Sequence, residues 1–121
     1  MELRRLENIE ELTPEIFSVF RRQPPLLTAG DREKCNTMTI GWCQLGSLWS
    51  IPVCTVFVRP ERYTYQFMEE SRYFTVSVLP EEAKAVTAYC GTKSGRDTDK
   101  IRDCGLTLRY GAGDAPFFAE S

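Results

Sequence analysis

Asn36-Thr-Met-Thr-Ile-Gly-Trp42 is the stretch of this chain that decides its fold. Threonine, isoleucine and tryptophan favour β structure, and the large apolar side chains of Met38, Ile40 and Trp42 alternate with smaller or polar residues. A strand predicted over residues 37–45 can place one face against a flat aromatic ligand, while hydroxyls and backbone amides reach the polar edge of that ligand. The same pattern also describes an ordinary half-buried strand with Trp42 in the core.

Strand patterns recur on both sides of this stretch. Residues 24–31 predict a strand that ends in a Gly-Asp turn. Residues 46–52 predict a turn, and the almost wholly apolar residues 53–58 predict a strand that is buried on both faces. Alternation predicts further strands over residues 72–79 and 106–110.

Helices are predicted between the later strands. One is predicted over residues 61–70, and a second runs from residue 80 to Gly91, where a left-handed residue is expected to close it. A third is predicted over residues 97–104, with Asp97 as its cap and a glycine after its end.

A single helical turn at residues 13–16 and a loop at residues 111–116 complete the pattern. Strands outnumber helices, so the fold class is mainly β with inserted helices, and a small antiparallel barrel with helices on its rim is expected. A doubly wound parallel sheet is disfavoured because no G-x-G-x-x-G occurs and the early strands have no helices between them.

The length and charge of the chain narrow its class of function. A length of 121 residues predicts one domain over residues 1–121, and a cleft of useful size would draw on a second subunit, so a homodimer is expected. The 15 basic and 17 acidic residues give a net charge of -2 and are interleaved, so nucleic acid is not an expected partner.

Histidine is absent and the five cysteines are widely spaced. The lack of histidine excludes the usual proton-shuttling triads, which leaves chemistry that a bound cofactor carries. Without a C-x-x-C pair neither a zinc site nor a disulfide framework is predicted, and a reducing cytoplasm is the expected location. No stretch has the length and apolarity of a membrane span. A thiol redox role is disfavoured because these thiols fall on apolar strands or at helix ends.

Three residues mark a possible phosphate site, Arg59, Arg62 and Thr64. They lie where a strand gives way to a helix, so unpaired helix amides would adjoin two guanidiniums and a hydroxyl. The planar arginine fork binds two phosphate oxygens at once. The alternative is that both arginines are surface charges that pair with Glu61 and Glu69.

A second group of polar side chains falls in the loop between the later helices. Lys93, Ser94 and Arg96 would close over an anion if the fold brings this loop to the arginine segment. A solvated charged loop is the alternative interpretation.

In combination these motifs resemble the flavin reductase-like family of FMN-binding split barrels. The resemblance covers about residues 24–110 and rests on five segments. They are Asn-x-Met-Thr-Ile-x-Trp at 36–42, Leu48-Trp49 with Pro52, Val58-Arg-Pro-x-Arg-Tyr-Thr64, Tyr73-Phe-Thr-Val-Ser77 and Cys90-Gly-x-x-Ser-Gly-Arg-Asp-x-Asp-Lys100.

The resemblance implies a Greek-key split β-barrel that forms a homodimer and binds FMN non-covalently near the subunit interface. It assigns the isoalloxazine contacts to Met38, Thr39, Ile40 and Trp42 with Asn36 nearby, the phosphate contacts to Arg59, Arg62 and Thr64, and loop contacts to Lys93, Ser94 and Arg96. Members of the family usually continue beyond the equivalent of residue 121, so a barrel without its last strand is expected.

The predicted function is an FMN-dependent oxidoreductase that passes electrons from a reduced nicotinamide, NAD(P)H, or a redox protein through bound FMN. Backbone amides near residues 39–42 would stabilise negative charge on the reduced ring. No catalytic side chain and no metal are expected. Two alternatives stay open: an electron carrier or flavin store without turnover, and a truncated, cofactor-free dimerisation module.

Overall fold

The computed structural model describes residues 16–121. The helical turn predicted at residues 13–16 lies outside this range except for its last residue. Seven strands and four helices are present in the described part of the chain. The strands are β1 (Leu26–Gly30), β2 (Cys35–Thr39), β3 (Cys43–Leu48), β4 (Ile51–Val56), β5 (Phe74–Ser77), β6 (Leu108–Tyr110) and β7 (Pro116–Phe118). The helices are α1 (Ile16–Arg22), α2 (Tyr63–Glu70), α3 (Lys84–Thr92) and α4 (Lys100–Asp103), and short 3₁₀ turns span Glu81–Ala83 and Ala112–Asp114.

The central sheet is antiparallel, in the order β2-β1-β5. Leu26 lies opposite Thr39 on one side and opposite Ser77 on the other. Strand β1 is fully buried along Leu26 to Ala29, and the hydroxyls of Thr28 and Thr37 lie 3.0 Å apart across the β1–β2 pair. Because this pair satisfies both hydroxyls, the two threonines can lie in the core without an unpaired polar group.

Gly30 turns the chain from β1 into β2. Its φ of +126° is costly for other residues, and an added Cβ would overlap the carbonyl of Lys34. The Asp31 carboxylate accepts hydrogen bonds from the amides of Glu33 (2.8 Å) and Lys34 (3.0 Å), which completes the predicted Gly-Asp turn.

The strand predicted over residues 37–45 is divided in two. Beyond β2 the amide of Ile40 donates to the carbonyl of Pro25 at 3.0 Å, whereas the carbonyl of Trp42 accepts from Phe57 at 3.3 Å. The chain therefore leaves the central sheet at residues 40–42 and enters a separate hairpin, β3–β4.

The β3–β4 hairpin corrects two further predictions. The turn predicted over residues 46–52 is reduced to Trp49 and Ser50, because Leu48 and Ile51 already pair. The prediction that residues 53–58 are buried on both faces is wrong, since β4 is half-buried to exposed along its length. Among the described strands it pairs with β3 alone, and three of its six residues are exposed.

Strand β7, which the sequence pattern did not predict, pairs with β6 through Leu108 and Phe118. Phe118 is 1% exposed and packs in one core cluster with Leu26, Leu79 and Cys90. The core thus lies between the central sheet, α3 and the β6–β7 pair. The partly buried residues around this cluster are Ala83, Val86, Ile101, Cys104, Leu106 and Leu108.

Two predicted helix boundaries are wrong. Gly91 does not close α3 in a left-handed conformation, because the helix runs on to Thr92. An added Cβ at Gly91 would lie 3.3 Å from the Thr39 Cβ, so glycine serves the close approach of α3 to β2. The cap of α4 is Asp99 rather than Asp97, since the Asp99 side chain accepts from the Arg102 amide at 3.1 Å.

The class of mainly β structure with inserted helices is confirmed. Within residues 16–121 the strands form one three-stranded and two two-stranded sheets, and no closed barrel joins them. None of the described helices is long and apolar enough to cross a membrane.

Candidate functional site

A cavity of about 450 Å³ opens between β2 with its continuation to Trp42, the first turn of α2, the last turn of α3 and the loop over residues 93–96. Every residue assigned to the site from the sequence lines it: Asn36, Met38, Thr39, Ile40, Trp42, Arg59, Arg62, Thr64, Lys93, Ser94 and Arg96. The structure therefore brings three separate segments of the chain to one place. Their contact with a flavin stays a prediction.

One end of the cavity, called here the cationic end, is formed by Arg62, Tyr63, Thr64, Lys100 and the loop over residues 93–96. Arg62 precedes α2 as its N-cap. The amides of Tyr63 and Thr64 in the first turn have no carbonyl partner among the described residues. Helix amides and guanidiniums thus meet here, as the sequence predicted, and the combination favours an anion.

Buried polar contacts hold the cationic end together. The Asn36 side-chain amide donates to the Thr64 hydroxyl at 2.8 Å. Gly95 lies so close to Asn36 that an added Cβ would overlap its side-chain oxygen, and the same Cβ would lie 2.9 Å from the Tyr63 ring. The Arg96 guanidinium carbon is 5.3 Å from the centre of that ring, a distance at which a cation and an aromatic face attract.

Charge along the cavity wall is strongly one-sided. Five cationic side chains line it, namely Arg59, Arg62, Lys93, Arg96 and Lys100. Among the described lining residues the acid is Glu61, whose carboxylate lies 3.3 Å from the Arg59 side chain. The alternative that both arginines pair with Glu61 and Glu69 is therefore confirmed for Arg59 alone, since the described ion pairs include none for Arg62.

The opposite end of the cavity is aromatic. It is lined by Trp42 and Phe57, and the Arg59 guanidinium carbon lies 6.0 Å from the Trp42 ring centre. Trp42 is 60% exposed, so the alternative that it belongs to the core is wrong. An exposed indole at the mouth of a cavity is free to cover a planar ligand.

Helix α3 forms the floor between the two ends. The Thr39 hydroxyl donates to the Thr87 carbonyl at 2.6 Å, and Gly91 packs on the Thr39 side chain. The Thr39 side chain is therefore the part of β2 that packs directly on the backbone of α3, and the glycine at position 91 permits this close approach.

Lys100 is a lining residue that the sequence analysis left out of the site. Its ammonium donates to the carbonyls of Thr37 and Cys90, each at 2.9 Å, and the residue is 5% exposed. Burial, and next to it the Arg62 charge, lower the pKa of Lys100. The signal in the sequence is a lysine next to Ile101 and four residues before Cys104, on the apolar side of a short helix.

The thiols near the cavity are not poised to react. Burial, with a smaller contribution from Cys104, raises the pKa of Cys90 to about 12. Burial and the neighbouring thiol of Cys54, 3.6 Å away, raise the pKa of Cys43 to about 12. Among the described residues no cluster of acidic and cysteine side chains has the arrangement of a metal site.

The geometry suits an elongated ligand with an anion at one end and a planar ring at the other. Residues 36–42 would span about 20 Å if fully extended, and a volume of 450 Å³ is within the usual range for small-molecule sites. FMN has this form, with a terminal phosphate and a tricyclic ring. The cationic end, which includes Gly95, suits the phosphate, and the exposed Trp42 at the aromatic end suits the ring.

Comparison with known proteins gives consistent results. An uncharacterised protein of Aeropyrum pernix is 30% identical over 98% of this chain and 44% of its own length. Flavoredoxin of Desulfovibrio vulgaris is 31% identical with a TM-score of 0.71, over 81% of this chain and 55% of that one. An FMN-binding domain of a flavin reductases-like enzyme from Shewanella baltica is 27% identical with the same TM-score of 0.71, over 85% and 55%.

The chain spans about half the length of these relatives. The family model that matches it is the flavin reductase like domain, over residues 17–121. The match includes the whole cavity and every strand that supports it. The chain belongs to the flavin reductase-like domain family.

Proposed function

We propose that this chain binds FMN in the cavity and acts as an oxidoreductase of the flavin reductase type. The observation that carries the proposal is the joining of a cationic end and an aromatic end in one cavity by three segments distant in sequence. Bound FMN would supply the redox chemistry, taking electrons from a reduced nicotinamide or a redox protein and passing them on.

Arg62 and Arg96 are the proposed phosphate ligands, with Lys93, Ser94 and the first amides of α2. Arg62 has no acid within ion-pair distance among the described residues, so its guanidinium is available to an anion. Arg96 is held against Tyr63. The Thr64 hydroxyl accepts from Asn36, which fixes its position and leaves its own O–H to donate to the phosphate.

Met38, Ile40 and Trp42 are proposed to contact the flavin ring, and the segment also offers backbone donors. The amide of Ile40 is committed to Pro25, whereas the amides of Gly41 and Trp42 have no backbone acceptor in the described structure. These two are the donors proposed to stabilise negative charge on the ring. They refine the earlier prediction of amides over residues 39–42.

The test is the visible absorption spectrum of the purified protein after FMN is added and the excess is removed. A retained flavin spectrum is expected. Arg62→Ala should lose about 1.5 to 3 kcal/mol of FMN binding free energy, the usual contribution of a hydrogen bond to a charged group. A protein that is colourless after the excess FMN is removed overturns the proposal, and an unchanged affinity in Arg62→Ala overturns the phosphate assignment.

Stopped-flow mixing of the FMN-loaded protein with NADH and NADPH tests the electron donor. Rapid loss of flavin absorbance with either nicotinamide is the expected result. Retained flavin without any nicotinamide oxidation would instead favour the electron carrier or store.

We further propose that residues 1–121 act as one domain, arranged as part of a split barrel, and that two copies form a homodimer. The exposed apolar side chains of the β3–β4 hairpin support the dimer, chiefly Leu48, Trp49 and Ile51. Size-exclusion chromatography with light scattering should give twice the monomer mass, and Leu48→Glu should reduce it. A monomeric parent protein overturns this part.

A cytoplasmic location completes the proposal. All five cysteines are free thiols in the structure, which suits a reducing compartment.

A further inference from the structure

Lys100 is a buried cation in the wall of the proposed flavin site. The residue is 5% exposed, and it lines both the 450 Å³ cavity and a smaller one of about 270 Å³ behind Asn36 and Gly95. Its position is fixed, because the ammonium donates to one carbonyl of β2, that of Thr37, and to one carbonyl in the last turn of α3, that of Cys90.

Within the described residues no carboxylate neutralises this charge. The ion pairs there involve the arginines at 22, 32, 59 and 102, and none includes Lys100. After burial, which lowers the pKa of Lys100, Cys90 raises it and the Arg62 charge lowers it again. The thiols of Cys90 and Cys104 are its other titratable neighbours.

Carbonyl groups solvate an ammonium but do not cancel its charge. The Cys90 carbonyl belongs to the C-terminal turn of α3, whose partial negative charge offsets part of the cost. A buried charge without a full partner remains expensive, and proteins rarely retain one unless something compensates it. An anion bound in the cavity that Lys100 lines would supply the missing negative charge.

We propose that Lys100 is a specificity-determining residue whose counter-charge is the phosphate of FMN, so that the site selects phosphorylated flavin over riboflavin. The inference rests on the proposed function. It assigns to Lys100 a role beyond joining β2 to α3. If Lys100 only joined the two carbonyls, its removal would affect the binding of FMN and of riboflavin equally.

The variant Lys100→Gln tests whether Lys100 acts through its charge or only through its two hydrogen bonds. The glutamine amide has two N–H donors for the two carbonyls but no charge. Dissociation constants for FMN and for riboflavin are measured by quenching of flavin fluorescence, at low salt, for the parent protein and the variant. Lys84→Gln is the matched control, because Lys84 is exposed and does not line either cavity.

Lys100→Gln should weaken FMN binding by about tenfold or more, as expected for the loss of a charge-assisted contact. Riboflavin binding should change by less than about twofold, because riboflavin has no phosphate that could interact with Lys100. The Lys84→Gln control should leave both constants unchanged. Equal losses for the two flavins would show that Lys100 is only a clamp and would overturn the inference.

A measurement without any substitution at Lys100 covers the case in which Lys100→Gln does not fold. The chain has four lysines, at positions 34, 84, 93 and 100, so protein labelled with ¹³C-lysine gives a simple spectrum. Substitution of the other three assigns the Lys100 signal by elimination. FMN should raise the pKa of Lys100 and riboflavin should not. An equal response to both ligands overturns the inference, whereas failure of the parent protein to bind FMN at all overturns the proposed function instead.

Discussion

The side-chain amide of Asn36 and the hydroxyl of Thr64 form a buried 2.8 Å hydrogen bond that joins β2 to the first turn of α2. Asn36 stands at the start of the strand proposed to hold the flavin ring, and Thr64 lies at the cationic end. The bond therefore fixes the distance between the two elements that have to act on one ligand.

Asn36→Ala should destabilise the protein by about 1 to 3 kcal/mol, because the Thr64 hydroxyl is left buried without its donor. Urea unfolding measures the change. Thr64→Val is the partner variant, and the double variant should cost less than the sum of the two single ones, since both remove the same bond. Additive costs would show that the bond contributes nothing to stability.

The contact of Gly95 with Asn36 gives a second prediction. Gly95→Ala should push the loop over residues 93–96 away from the wall, because the new Cβ would overlap the Asn36 oxygen and lie 2.9 Å from the Tyr63 ring. FMN affinity, measured by fluorescence quenching, should fall at least about tenfold because the loop cations are displaced. Gly46→Ala is the control, since nothing lies within 4 Å of a Cβ there. Equal affinities for the two variants would contradict the proposed role of the loop.

Local pattern marked the segments of this cavity only as candidates, and the resemblance to the family joined them into one predicted site. Hydroxyls and arginines at strand and helix ends signalled the lining residues, and the structure brings all of those named to one cavity. Gly105, with φ of +65°, closes α4 as a glycine after a helix should. Each of these features is set by residues that are close together in the chain, so the sequence alone can indicate it.

Features set by distant contacts were missed or wrong. The burial of Lys100 depends on carbonyls 63 and 10 residues away, at Thr37 and Cys90. The exposure of β4 depends on which strands flank it, and an apolar run cannot reveal that. Strand β7 exists because Phe118 fills the core beside Leu26. The prediction that the barrel lacks its last strand stays a prediction.

Arg59 and Arg62 should differ in their effect on the ligand, although they are three residues apart. Arg59 is paired with Glu61 and lies over Trp42 at the aromatic end. Because Arg59 is exposed and already paired with an acid, Arg59→Ala should cost less than about 1 kcal/mol of FMN binding free energy. Arg62→Ala should cost more. Titration of both variants with FMN at several salt concentrations tests the difference. A larger loss for Arg59→Ala would move the phosphate site to the other end of the cavity.

Thiol reactivity should follow the raised pKa values. Because Cys43 and Cys90 have pKa values of about 12, against an ordinary value of 9.0, both should remain thiols at pH 8. Iodoacetamide should then modify them far more slowly in the native protein than in guanidinium chloride, as mass spectrometry of peptides would show. The raised pKa values also stabilise the fold below pH 9, and this contribution should be lost as the pH rises from 9 towards 12. Rapid alkylation of native Cys90 at pH 8 would contradict its burial.

The backbone of the two-residue turn in the β3–β4 hairpin is strained, and a glycine there should relieve the strain. Trp49 and Ser50 have φ values of 50° and 60°, the left-handed region that a type I′ turn requires at both positions. Neither residue is one that such turns prefer, and a left-handed conformation costs about 1 to 2 kcal/mol outside glycine.

Ser50→Gly should therefore stabilise the protein by about 0.5 to 1 kcal/mol in urea unfolding, the gain being reduced by the greater freedom of glycine in the unfolded chain. Ser47→Gly is the matched control, because Ser47 is an exposed residue within β3 and the same change there should destabilise by a similar amount. Opposite signs for the two substitutions identify backbone conformation as the cause, since both remove the same side chain. The same sign at both positions would mean that the turn carries no strain.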